Sequence, residues 1–192
     1  MTDILSIFIK SMLVDNVVFI QYLAICPFIG MTSETGKAAG MGLATTFVIV
    51  LATAVTWPVY KLVLVPFGLE FLQTLLFILV IASLVQLVEF YLKKSAPGLY
   101  SSMGIYLSLI TTNCAVLGVT INCINKNLGY GQSIVYALGS AAGFLFAMVI
   151  MSGVRARLKI ARVPKAFSGI PILYVAAGLL SLAFLGFKGL IK

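Results

Sequence analysis

The chain has 192 residues, 61% of them hydrophobic and 9% charged, with a mean hydropathy of +1.14 and no histidine. Soluble domains carry about 25% charged residues, and no water-soluble fold can cover this much apolar surface, so the composition places the chain in a membrane. The formal net charge of +8 reads as loop cations that orient spans and meet anionic headgroups, which excludes nucleic-acid binding as a first reading.

The apolar runs are continuous and lack the alternation of barrel strands, so they are helices. A span needs roughly 20 apolar residues, which leaves room for about six. The start carries Asp3 but no basic region and no small-residue cleavage site; the first apolar segment is therefore expected to remain in the mature protein. That segment, Ile4 to Ile29, is interrupted by Lys10, Asp15-Asn16 and Gln21. It is too long for one upright span, so it either begins as an interfacial helix or breaks near Cys26-Pro27, where proline removes a donor and restricts its predecessor. Gly30 is then expected to permit a turn.

The second span runs from Ala39 to between Val55 and Tyr60, with Trp57, Pro58 and Tyr60 at its far interface. The third covers Phe71 to Tyr91 and stops at Lys93-Lys94, with Pro97-Gly98 as a turn. The fourth, Leu99 to Ile121, contains Thr111-Thr112-Asn113-Cys114 and Gly118. The fifth, Ser133 to Met151, presents Gly139, Ala141, Ala142 and Gly143 as a small-residue face for close packing. A basic loop, Arg155 to Lys165, precedes the sixth span, Ile170 to Phe187. Loop cations favour the odd-numbered loops as cytoplasmic, which puts both termini outside.

Two stretches match. Cys26-Pro27-Phe28-Ile29-Gly30 and Cys114-Ala115-Val116-Leu117-Gly118 both read Cys-x-x-aliphatic-Gly. Lys37-Ala38-Ala39-Gly40-Met41-Gly42 follows the first, and Lys126-Asn127-Leu128-Gly129-Tyr130-Gly131 follows the second. The expected architecture is an all-α polytopic membrane protein, one domain over 1–192. Its six transmembrane helices form two inverted three-helix repeats, about 11–95 and 99–190, with broken helices at the cysteine motifs. Because three spans is an odd number, the second copy enters the membrane in the opposite sense, and equivalent mid-span positions converge near a pseudo-two-fold axis. Cys26 and Cys114 occupy such positions.

Paired inward cysteines can be inert packing residues, and a disulfide is open to them but adds little to a six-helix bundle. Without histidine, working thiolates favour an iron–sulfur cluster or another thiophilic metal. A cluster usually takes four cysteines, and the third, Cys123, has no counterpart in the first copy and reads as a packing or interface residue. Two symmetric ligands per chain then require a second chain to supply two more.

Leu109 to Gly118, with Leu23 to Gly30 and Gly40 to Phe47, resembles the RnfA branch of the Rnf complexes, itself similar to the NqrE component of the sodium-pumping quinone reductase. The likeness covers essentially the whole chain. It implies a membrane component of an ion-translocating ferredoxin:NAD oxidoreductase complex in the bacterial cytoplasmic (inner) membrane. It further implies a [2Fe-2S] cluster shared with the homologous RnfE component, with Cys26 and Cys114 as this chain's two ligands. The RnfB, RnfC, RnfD and RnfG components would carry the remaining flavins, clusters and nucleotide site, linking the chain to ferredoxin and NAD. No phosphate loop, nucleophile–base pair or dinucleotide fingerprint is present, so enzyme activity as a redox-driven ion translocase would belong to the complex.

The rival reading is a small ion-conducting or transporter-like protein without a redox cofactor, since inverted repeats and broken helices also build transporters. Ionisable and polar groups in spans are candidates for an ion path: here Asp15, Gln21 and Glu89, although Asp15 and Glu89 also suit the interface. Lys37 and Lys126 read as snorkelling loop lysines. Thr111, Thr112 and Asn113 are placed either to donate to a cluster sulfur or to bond between helices.

Overall fold

The computed structural model describes residues 2–68, 70–95, 109–161, 164, 167 and 169–188. Most of the described residues are helical, with no strand among them. Helix α1, Thr2–Ile9, continues as a π-helical turn, Lys10–Val14. A non-helical stretch follows, then the short α2, Ile25–Met31. Helix α3, Thr35–Val59, is prolonged through Tyr60–Leu64 and Val65–Phe67. Glu70–Leu72 leads into α4, Gln73–Ser95. After helical residues 109–111 comes α5, Cys114–Asn125, then α6, Tyr130–Leu158, and α7, Ile170–Lys188.

Three described helices are long and apolar enough to cross a membrane: Thr35–Leu64, Gln73–Phe90 and Tyr130–Leu158. Ile4–Val14, Leu109–Asn125 and Ile170–Gly186 are shorter apolar helices. The chain is therefore a multi-pass membrane protein, as its composition demands. Pro97-Gly98 and most of the first half of the expected fourth span lie outside the described residues.

Helices α3 and α6 form the centre, antiparallel to one another. Ser152 of α6 donates to Thr35 at the start of α3 (3.0 Å), while Trp57 near the end of α3 stacks edge-on against Tyr130 at the start of α6. Gly42 admits the Leu145 side chain midway between them. The buried positions of α3 (Met41, Thr45, Val48, Ala52, Thr56) recur at helical spacing. Thr45, Thr53 and Thr56 satisfy their buried hydroxyls on the carbonyls four residues earlier, at 2.7–2.8 Å. Pro58, which cannot donate, lies just ahead of the π-helical turn at Tyr60–Leu64, the usual kind of irregularity beside such a residue.

The small-residue face of α6 receives α1. A Cβ added at Gly139 would collide with Ser11 and come within 2.7 Å of the Phe8 carbonyl; one at Gly143 would reach the Met12 carbonyl at the same distance. Without these two glycines the backbones could not approach so closely.

The break in the first apolar run differs from the expectation. Cys26, Pro27 and Gly30 are all helical, and the break lies upstream, between Asp15 and Ala24. Pro27 is the third residue of α2, where a backbone N–H would have no intrahelical acceptor, so proline opens this helix instead of ending it. Asn16 builds the break. Fully buried, it donates through Nδ2 to the Met12 and Gly143 carbonyls, both at 3.2 Å. Its Oδ1 accepts from the backbone N–H groups of Val18 and Phe19. The stretch ends on two non-glycine residues in left-handed conformation, Tyr22 (φ 54°) and Ala24 (φ 59°), a cost of about 1–2 kcal/mol each. Packing from α7 holds it: Phe184 stacks on Phe19 at 4.5 Å, and Ser181 donates to the Phe19 carbonyl.

Candidate functional site

Two half-helices carry the two matching cysteines at their starts. Cys26 is the second residue of α2, and Cys114 is the first residue of α5. Both are exposed on the chain, whereas Cys123 is buried and its thiol faces the Ser133 carbonyl at 3.7 Å. Cys123 is thus a packing residue, as its lack of a counterpart suggests. On α2, Pro27 and Phe28 turn inward and leave Cys26 and Gly30 on the outer side.

The start of α5 is sharply defined. Asn113 is its N-cap, with Oδ1 accepting from the Ala115 N–H at 3.0 Å. Asn113 is 5% exposed, and its Nδ2 has no hydrogen-bond partner among the described residues. The Cys114 thiol lies 4.0 Å from the carbonyl of Thr112, the residue before the cap. The far end of α5 closes with Asn127 in left-handed conformation (φ 50°). Asn127 N–H bonds Ile124 O at 2.8 Å and Leu128 N–H bonds Cys123 O at 3.2 Å, the pairing that ends a helix on a left-handed residue.

The break after α1 lies alongside α5 in a readable register. Asp15 forms an ion pair with Lys126. Further along, Gln21 accepts from Asn122 at 2.9 Å. Further still, Leu23 occupies the space over Gly118, where a Cβ would collide with it. As the chain advances from 15 to 23, its contacts on α5 retreat from 126 to 118. Gly118 is therefore a point of close approach, while Gly30, its counterpart by motif, has open space beside it.

Lys126 is more than a snorkelling loop residue. Besides Asp15 it meets the face of the Tyr136 ring at 4.6 Å. Burial alone would lower its pKa, but hydrogen bonding to Asp15 and the neighbouring charges hold it above the ordinary lysine value. Lys37, its counterpart, pairs locally with Glu34 at 2.9 Å. Asp15 and Gln21 are thus committed to contacts with α5 and the turn that follows it, and Glu89 sits half-buried on α4.

Arg155, expected in a basic loop, instead lies in the last turn of α6 and has a structural role there. It donates to the Ile29 carbonyl at 2.7 Å and to Thr32 at 3.3 Å, at the C-terminal end of α2. Lys159 donates to the Ser33 carbonyl at 3.3 Å. A cation at a helix C-terminus satisfies orphan carbonyls and complements the helix dipole. At the other end of the central pair, Trp57 donates to the Leu128 carbonyl at 3.1 Å. Among the described residues no three His, Cys, Asp or Glu side chains gather as a metal site.

Comparison with known proteins covers the whole chain. The profile of a family described as Rnf-Nqr subunit, membrane protein, matches residues 4–191. A protein of Azoarcus sp., named as the A component of an ion-translocating oxidoreductase complex, is 51% identical over 99% of this chain and 98% of its own length. A protein of the same name from Syntrophotalea carbinolica is 50% identical over 100% and 99%. Its namesake in Yersinia enterocolitica is 49% identical over the full length of both.

Proposed function

The chain belongs to the Rnf-Nqr family of membrane subunits, and from that premise we propose that it relays electrons within an ion-translocating oxidoreductase complex of the Rnf type. Its site is a [2Fe-2S] cluster in the membrane, with Cys26 and Cys114 as this chain's ligands and a homologous chain, RnfE, supplying the other two. The observation that carries the reading is the pair of exposed thiols at the starts of two half-helices. The register along α5 supports it: one helical turn before Gly118 is Cys114, and three residues after Leu23 is Cys26.

The donor set fits half a cluster. Two soft sulfur ligands suit iron in a sulfide cluster, and with Cys123 buried against Ser133 the chain offers only two accessible thiols. A shared site explains why those thiols sit on the outside of the chain. When bound, the cluster supplies a one-electron carrier. The chain's own residues orient it: Asn113 fixes the start of α5, Arg155 secures the end of α2, and Asn16 with α7 holds the break between α1 and α2.

In this reading the six expected spans form inverted repeats about the antiparallel α3–α6 pair, and the termini lie outside the bacterial cytoplasmic membrane. Ferredoxin and NAD act on other components of the complex. The test is to purify the complex carrying Cys26→Ala, Cys114→Ala or Cys123→Ala and to measure iron, acid-labile sulfide and the visible spectrum. The first two substitutions should each abolish the intramembrane cluster, and Cys123→Ala should retain it. A complex that stays active without an intramembrane cluster would sink the proposal in favour of an ion-conducting role.

A further inference from the structure

We propose that the Asn113 side-chain amide donates a hydrogen bond to the sulfur side of the group held by Cys114 and so raises its reduction potential. The inference rests on the cluster reading above and adds a tuning residue to it. Asn113 Oδ1 is committed to the Ala115 N–H, so the orientation of the amide is set by the cap and cannot be flipped without losing it. Nδ2 is left buried, with no partner among the described residues. Native proteins rarely leave such a donor unpaired, because its lost hydration costs about 1–3 kcal/mol. The Cys114 sulfur belongs to the next residue, at the first position of α5, and lies 4.0 Å from the carbonyl of Thr112, the residue before the cap.

A thiol can face that carbonyl because it has a proton to donate. A ligating sulfur has none: it is an acceptor, repelled by the carbonyl oxygen and in need of a donor. Asn113 Nδ2 is an N–H donor at the same helix start with no other partner among the described residues. Reduction adds negative charge to the cluster, so a donor to its sulfur stabilises the reduced form more than the oxidised one. Asn113 acts through the ligand, as a positioning residue.

The test uses the assembled complex with Asn113→Ser and Asn113→Asp, both of which keep an oxygen to cap α5. Potentiometric titration followed by electron paramagnetic resonance gives the midpoint. At a fixed poise Asn113→Ser should lower the reduced-to-oxidised ratio about tenfold, which for one electron is about 59 mV. Asn113→Asp should lower it further, because it also adds negative charge. Unchanged midpoints in variants with full iron and sulfide content overturn the inference and leave the cluster reading standing. A wild-type complex without an intramembrane cluster overturns the cluster reading, and this inference with it. Should neither variant assemble, the wild type labelled only at asparagine side-chain nitrogens decides. A nitrogen hyperfine coupling to the reduced cluster is expected, and its absence overturns the proposal.

Discussion

Asn16 shows how much a single buried amide can organise. Its four hydrogen bonds join the end of α1, the break and the backbone of α6 at Gly143. Asn16→Leu would strip two donors and two acceptors of their partners while keeping most of the volume. Each orphaned buried group costs about 1–3 kcal/mol, so we expect a loss of several kcal/mol, partly offset by relaxation. Unfolding of the detergent-solubilised protein followed by circular dichroism measures it. In the sequence Asn16 is legible only as a polar interruption of an apolar run, because the carbonyl that explains it is 127 residues away. Asn113 differs. An asparagine just before a helix is a recognisable cap, yet that its other arm is buried and unpaired among the described residues is a property of the packing.

At the scale of elements, the glycines of α6 separate into two kinds. A Cβ at Gly139 or Gly143 would stand 2.7 Å from a backbone carbonyl, that of Phe8 in α1 or of Met12 in the turn that continues it, whereas one at Gly153 would meet nothing within 4 Å. Alanine at either of the first two pushes rigid backbone apart and should destabilise the protein by about 1–3 kcal/mol; Gly153→Ala should be neutral or stabilise by up to about 1 kcal/mol through helix propensity. Thermal unfolding of the three variants separates these outcomes. The short α2 depends on its C-terminal cap. Arg155→Met removes a charged donor from the Ile29 carbonyl, worth about 1.5–3 kcal/mol. Amide hydrogen exchange over residues 25–34 should rise in that variant while exchange along α3 and α6 stays unchanged. The small-residue face of α6 is readable from spacing alone. The role of Arg155 is not, since its basic neighbours suggest only a cytoplasmic loop.

For the whole molecule, the two halves of the chain are stitched across one another. Residues 15–23 lie along α5, while α6 reaches back to the end of α2. The Asp15–Lys126 pair is the most exposed of these links. Because the lysine pKa is raised above its ordinary 10.5, its contribution is fully present below that value and is lost only as pH climbs through the raised one. Stability measured from neutral pH to about 9 should therefore show no step from this lysine. In a double-mutant cycle with Asp15→Asn and Lys126→Met, a coupling of about 0.5–1 kcal/mol is expected, since both side chains keep some contact with solvent. Exchanging the two residues should restore part of it, whereas a proton path through Asp15 would leave the exchanged form inactive.

Composition and local pattern by themselves determined that the chain is a helical membrane protein, where its long helices lie, which face of α6 packs closely, and that Cys26 and Cys114 stand at matching positions. These are properties of neighbouring residues, repeated at helical period or at a fixed offset. Only the tertiary structure decided where the first apolar run breaks, why Pro27 starts a helix, and that Gly118 is a close approach while Gly30 faces open space. It also paired Lys126 with Asp15 and left the second arm of Asn113 without a partner among the described residues. The physical reason is common to all of these. A buried polar group, a glycine or a proline takes its meaning from what stands opposite, and in a folded chain that is set by packing between segments far apart in sequence.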